Sequence, residues 1–253
     1  MGTVVGVDAD LVLYASCYAN EDNPLSYCLN AITKTVERII KRTEADTCIL
    51  YLTGKGNYRE AVATISPYKA GRPPKPTHFQ EAKDFLINKK GALLVEGMEA
   101  DDMLGIMASQ MEEGDKYILA SYDKDLDMIP CTHYVWSSKK REERWYEVED
   151  PAGMRFFYTQ LLTGDSTDNI AGLFKMTGKK AMKKIKQPLE EMNEEIDMWN
   201  YVRGVYRDAY LSCGILPDLV DDTIDKWLLE IGRLLWIRRE ADEELWEFPT
   251  KGG

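Results

Sequence analysis

Ten acids carry the chemistry of this chain. Asp8 and Asp10 stand in VDAD, and Glu99, Asp101 and Asp102 in EADD. Asp123, Asp125 and Asp127 stand in SYDKDLD, and Asp165 and Asp168 in GDSTDN. Carboxylates brought together raise one another's pKa, because like charges oppose ionisation. A hard divalent cation with oxygen ligands relieves that cost, and Mg²⁺ keeps waters and coordinates phosphate as well. Two such ions about 3.5–4 Å apart stabilise both the attacking and the leaving oxygen of an in-line displacement. Only His78 and His133 are available as imidazoles, and the five cysteines form no C-x-x-C pair. Zinc is therefore disfavoured, and Mg²⁺ or Mn²⁺ is expected. No Ser-His-Asp or Cys-His set is visible, which argues against covalent catalysis.

What must position these acids is a parallel sheet. Apolar, partly β-branched runs at 3–7, 47–52, 92–95, 117–120 and 132–136 read as buried strands. Helix-like stretches at 30–42, 79–88 and 100–113 alternate with them. That alternation implies an α/β fold, a mostly parallel sheet covered by helices. In such sheets functional groups collect at the carboxyl ends of the strands. Asp8 follows the first strand, the EADD acids follow the third, and Asp123 and Asp125 follow the fourth. After Asp150 the pattern turns helical, at 153–162, 190–211 and 222–237. Two domains are expected, a catalytic core over 1–150 and a helical region over 151–253. Each acid group alone also fits a plainer role, as a helix cap or an Asx turn.

The net charge is −11, which by itself argues against a polyanionic partner. The charge is segregated, however. Residues 55–90 hold eight Lys or Arg against three acids, and residues 175–186 hold six Lys and none. In NYREAVATISPYKAGRPPKP, the prolines exclude a regular helix, and Arg59, Lys69, Arg72 and Lys75 offer phosphate contacts. Tyr68 offers a stacking face for an unpaired base. In IAGLFKMTGKKAMKKIK, Gly178 precedes a helix start, where free amides suit a phosphate. Both segments also fit a solvated surface. The five scattered cysteines read as reduced and mostly buried. No signal peptide, myristoylation motif or apolar run long enough for a bilayer is visible, so a cytoplasmic location is expected. Trp199, Trp227 and Trp236 read as core residues of amphipathic helices.

VDxD, YRE…PYKxxR, EADD, SxDKD and GDxxDNIxG, in that order, resemble the 5′-nuclease superfamily of flap endonucleases and 5′→3′ exonucleases. The likeness runs over residues 4–184 and is greatest to short phage-encoded members. It implies a PIN-like core and a helix-turn-helix variant at about 163–186. It implies metal roles for Asp8, Glu99, Asp101, Asp102, Asp123, Asp125, Asp165 and Asp168. Of these, Asp8, Glu99, Asp101 and Asp123 would lie nearest the tighter ion, and Asp165 and Asp168 would serve the second. Asp10 has no clear counterpart, and Asp127 reads as solvated. Arg59, Lys69 and Arg72 look like the family's phosphate contacts, and Tyr68–Lys69 like its Tyr-Lys pair. Gly172, Gly178, Lys179, Lys180 and Lys183 look like a duplex grip that holds K⁺ in relatives. Relatives thread a single strand through an arch; the stretch from Lys75 to about Asn88 allows a small clamp.

The reaction implied is attack by water on phosphorus with the 3′ oxygen leaving, and Lys69 and Arg72 steadying the growing charge. Nicked, flapped or recessed 5′ ends of DNA, and RNA primers on DNA, are the candidate substrates of a monomer. Phage replication, recombination or primer removal follows as the setting. The alternatives are a PIN-type ribonuclease, a non-catalytic structure-specific DNA-binding protein, and a small-molecule phosphatase.

Overall fold

A computed structural model describes residues 2–111, 114–138 and 141–250, with backbone alone at 174–177, 179 and 217–218. The elements begin β1 (Thr3–Asp8), α1 (Ala9–Tyr18), α2 (Leu25–Thr43), β2 (Thr47–Thr53), α3 (Arg59–Val62), α4 (Phe79–Lys90) and β3 (Leu93–Val95). They continue α5 (Ala100–Ser109), β4 (Lys116–Ala120), β5 (Cys131–Val135), β6 (Arg144–Val148) and α6 (Asp150–Thr163). Then come β7 (Gly164–Asp165), β8 (Ile170–Ala171), α7 (Phe174–Lys186), α8 (Glu195–Ser212) and α9 (Pro217–Leu235).

The chain divides into two compact units, and neither is continuous in sequence. The first takes the chain up to Asn57, with Pro73–Glu149 and Ile237–Glu243. The second takes Tyr58–Arg72, Asp150–Trp236 and the chain from Glu244 onward. Two consecutive stretches, 1–150 and 151–253, therefore do not describe the units. The exchanged pieces are 58–72 and 237–243.

The first unit is built on a six-stranded sheet in the order β3-β2-β1-β4-β5-β6. β1 to β5 are parallel, as expected, and β6 adds an antiparallel edge. β1, β2 and β4 are apolar because helices bury both faces. Val5, Val7, Leu50, Leu52, Ile118 and Ala120 join Leu13, Ile32, Ile39 and Leu86 of α1, α2 and α4 in one core. α5 packs against β1, β2 and β4 with Leu104 and Ile106 buried. α1 was not expected, because ADLVLYASCY continues the apolar run of β1. Asp8 ends the strand and starts the helix, its Oδ1 accepting from Leu11 N at 3.0 Å. The expected clamp stretch is largely helix α4, with Phe79, Ala82 and Leu86 in the core. Residues 79–88 are thus helical, as expected, with one face in the core.

The returning segment at 237–243 lies against α5. A Cβ on Gly105 would sit 2.3 Å from the Arg238 carbonyl oxygen. Arg239 Nη2 donates to Met128 O at 2.8 Å.

The second unit is helical, with α6, α7, α8 and α9 packed together and Phe157, Trp236, Trp199 and Trp246 forming an aromatic cluster. α7 contains a break at Gly178, where φ is 74° and ψ 164°. Arg59 of α3 is buried, and its guanidinium donates to Leu234 O at 2.9 Å and Trp236 O at 2.5 Å. These are carbonyls that the end of α9 leaves without helical partners, and a cation suits that end of the dipole. No described helix is long and apolar enough to cross a membrane.

Two outcomes follow from this packing. Gly105→Ala forces the Arg238 carbonyl away and is expected to cost about 1–3 kcal/mol of stability in urea unfolding, as overpacking does. Arg59→Ala strands buried carbonyls and is expected to cost about 2–3 kcal/mol in the same measurement.

Candidate active site

The parallel strands deliver the acids of the first unit to one sheet edge. Asp8, the last residue of β1, is buried, and Ser121 Oγ donates to its Oδ2 at 3.0 Å. The same Ser121 Oγ accepts from Asp123 N at 3.0 Å. One hydroxyl thereby ties the end of β1 to the turn after β4. Asp123 caps a 3₁₀ turn at Lys124–Met128, its Oδ1 accepting from Asp125 N at 3.0 Å. Asp125 is half-buried and pairs with Lys124 at 3.0 Å.

Asp10 stands in the first turn of α1, and its Oδ2 accepts from Thr53 N at the end of β2 at 3.0 Å. Lys83 Nζ donates to Thr53 O at 2.8 Å. Glu99 is the buried N-cap of α5, with Asn57 Nδ2 donating to its Oε1 at 2.9 Å. Asp101 is half-buried in the first turn of that helix. Asp102 closes a capping box with Glu99, its Oδ2 accepting from Glu99 N at 3.0 Å. Its Oδ1 accepts from Arg238 N at 3.1 Å, and the residue is fully buried. Asp102 is placed as an anchor joining α5 to the returning segment. Asp127, expected to be solvated, is half-buried and accepts from Tyr146 OH at 2.5 Å.

Burial pushes the Asp8 carboxyl up to about 7, with the Asp10 and Asp123 charges adding and the Leu11 and Ser121 hydrogen bonds opposing. Burial likewise raises Asp10, helped by Glu99 and opposed by the Thr53 hydrogen bonds and the Lys83 charge. Acids crowded and desolvated in this way fit a doubly charged cation with oxygen ligands. His78 and His133 do not contribute, since each Nε2 lies 2.8 Å from a backbone carbonyl, of Asn23 and Ile129. Among the described residues, no three acids, histidines or cysteines stand close enough to hold an ion as they are placed. The acids share an edge without forming a closed ligand shell.

In the second unit the β7–β8 hairpin carries Asp165 and Asp168. Asp165 is buried, and its Oδ1 accepts from Thr167 N at 2.7 Å. Asp168 gathers the basic loop. Tyr68 OH donates to its Oδ2 at 2.8 Å, Lys69 Nζ lies 3.7 Å from Oδ2, and Arg72 Nη2 lies 2.5 Å from Oδ1. Lys69 N donates to Asp168 O at 2.9 Å, and Lys69 Nζ sits 5.0 Å above the Tyr68 ring. Both Lys69 and Asn169 adopt positive φ, at 55° and 61°.

The other expected phosphate contacts divide. Lys75 is exposed, its Nζ 4.6 Å from the Phe79 ring centroid. Lys180 and Lys183 are exposed, and the side chain of Lys179 lies outside the described residues. Gly172 is packed against Gly164 across the hairpin, where a Cβ would lie 2.2 Å from Gly164 N. Arg59 is spent on the end of α9 instead of reaching the surface.

Sequence reasoning missed Thr53, Asn57, Lys83 and Ser121 as positioning residues. Only Ser121 had a signal, as the first residue of SYDKD. Cys17 and Cys28 are buried, Cys48 and Cys131 half-buried and Cys213 exposed, so fewer thiols are fully buried than expected.

Residues 3–151 match the 5′-3′ exonuclease, N-terminal resolvase-like domain. The 5′-3′ exonuclease of Buchnera aphidicola subsp. Schizaphis graminum is 28% identical over 198 residues, covering 71% of this chain and 68% of that one. DNA polymerase I of Bacillus subtilis is 28% identical over 166 residues, which is 59% of this chain and 19% of the polymerase. Among solved structures, the bacteriophage T5 D15 protein co-crystallized with metal ions has a TM-score of 0.61 at 20% identity. That match covers 92% of this chain and 100% of the T5 chain. The catalytic core of Rad2 in complex with DNA substrate has a TM-score of 0.51 at 13% identity, over 98% of this chain and 83% of Rad2. These two likenesses establish a shared fold. The matched domain spans β1 to the start of α6 and includes every acid from Asp8 to Asp127, so the chain belongs to the 5′-3′ exonuclease family of nucleases.

Proposed function

We propose that the protein is a metal-dependent 5′→3′ exonuclease and flap endonuclease acting at or near 5′ ends of duplex, nicked or flapped DNA. RNA primers on DNA fall within the same chemistry. The observation that carries this reading is the Ser121 bridge, which ties the buried Asp8 carboxylate to the backbone of half-buried Asp123 at one sheet edge. The metal ions of the T5 relative and the DNA of the Rad2 relative support it.

Asp8, Glu99, Asp101 and Asp123 would hold the first ion, with Asp125 beside them. Asp102 acts by holding the start of α5 in place. Asp165 keeps the second-ion role that the resemblance implies, and Asp168 would serve that ion only once Lys69 and Arg72 turn from it to a phosphate. Divalent cations so held supply Lewis-acid charge and lower the pKa of water at neutral pH. Lys69 and Arg72 would bind the reacting phosphate as point charge and fork. Their bond to Asp168 preorganises both for an anion, and Tyr68 would stack on an unpaired base. The exposed Lys180 and Lys183, with Gly178 at the break of α7, would grip the duplex backbone as a helix-turn-helix variant, the place for K⁺. Such contacts position DNA without reading its sequence. Phage DNA replication, recombination or primer removal is the proposed setting.

Product analysis on a 5′-labelled flap and a nicked duplex tests the reading, with single-stranded RNA as the competing substrate. With Mg²⁺ or Mn²⁺, short 5′ products from DNA are expected, and EDTA should stop their release. Binding of flapped DNA without product, or preference for RNA, would refute it. Asp101→Asn and Asp123→Asn should each abolish turnover while duplex affinity in gel shifts stays near wild type. Lys69→Ala should slow cleavage roughly 10²-fold, the usual loss for a group that meets transition-state charge.

A further inference from the structure

β5 runs parallel to β4, so the turn joining β5 to β6 leaves the sheet at the edge where Asp8 and Asp123 stand. That turn brings Arg141 back over Tyr122, the residue before Asp123. The guanidinium carbon lies 3.6 Å from the ring centroid. The ring itself is fixed, edge-on to buried Trp136 at 5.0 Å, with its hydroxyl 3.5 Å from Leu11 O. The turn is pinned to α2, where Arg38 Nη1 donates to Ser137 O at 2.8 Å and Arg42 pairs with Glu143 at 2.5 Å. Arg141 is held at its backbone too, its O accepting from Ser138 N at 2.8 Å.

Tyr122, Arg141, Glu143 and Arg144 line an open cavity of about 550 Å³. Glu143 is committed to Arg42, and no described ion pair takes Arg141. With Glu143 taken by Arg42, the remaining charges lining the cavity are Arg141 and Arg144 against Glu142, so one positive charge remains over. An arginine laid on an aromatic face keeps its N–H edges in the plane of the group, where they match a phosphate in forked geometry.

We propose that Tyr122 and Arg141 form a phosphate subsite beside the acid edge, Arg141 gripping a phosphate of the substrate strand and Tyr122 serving as its platform. The inference rests on the DNA-nuclease reading. It adds a contact distinct from Lys69 and Arg72, on the first unit.

The test combines steady-state cleavage of a flapped duplex with its binding in an Asp123→Asn background across salt concentrations. Arg141→Ala should raise KM and Kd about tenfold, leave kcat within about twofold, and reduce the salt slope by about 1, as loss of one phosphate contact does. Arg141→Lys should keep the slope but recover only part of the affinity, since an ammonium lacks the fork. Tyr122→Leu, which removes the aromatic platform, should behave as Arg141→Ala. Melting temperatures identify any variant that fails to fold, and Arg141→Lys then carries the test. Loss on 5′-phosphorylated DNA alone marks a terminal phosphate, and equal loss on 5′-hydroxyl DNA an internal one; either supports the subsite. Unchanged KM and salt slope in Arg141→Ala, or a loss confined to kcat, overturns it. A wild-type protein that cuts no DNA would instead defeat the underlying reading before any variant is compared.

Discussion

Carboxylates repel one another, and burial magnifies that repulsion; the first unit is arranged around holding several of them at one edge nonetheless. The means is the backbone amide. Asp8 accepts from Leu11 N, Asp10 from Thr53 N, Asp123 from Asp125 N and Asp102 from Glu99 N and Arg238 N. Amide donors fix a carboxylate without cancelling its charge, and several sit at helix starts, where the dipole favours an anion. A lysine or arginine in their place would hold the acid equally well and remove the charge a cation needs. Lys83 stops short of this, since its ammonium bonds the Thr53 carbonyl and only biases Asp10 from a distance.

Asp168 is held by the opposite means. Lys69 and Arg72 pair with it directly, and Tyr68 adds a hydroxyl donor. Its charge is largely compensated within its own loop pair. The two units thus treat their acids differently. Asp8, Asp10 and Asp123 keep their negative charge available, and Asp168 uses its own to order Lys69 and Arg72.

Much of the fold was legible because burial on both faces makes a parallel strand a continuous apolar run. All five such runs became strands, although Leu93 and Leu94 of the edge strand β3 are exposed and not buried as expected. β6 was not legible, because RWYEV is a half-exposed antiparallel edge with no such run. Helix α1 was hidden for the opposite reason: it is as apolar as the strand it follows. The acids were legible as a set because they fall just after strands, where a parallel sheet opens. The separate duties of Asp102 and Arg59 were not. Their partners are the backbone of Arg238 and the carbonyls of Leu234 and Trp236, more than a hundred residues away, and no local pattern marks a backbone group as a partner. Ser121 shows the same limit within a motif. Its type was visible, and its role as a bridge depends on the pairing of β1 with β4.

The discontinuity of the first unit bears on how the molecule is made. Arg238, whose amide completes the hydrogen bonding of Asp102, is synthesised after the whole of α6 to α9. A nascent chain that has emerged only as far as β6 has its sheet and most of its acids, but α5 still lacks the strand of backbone that braces it. The bracing of α5 is therefore completed only after α6 to α9 have been made.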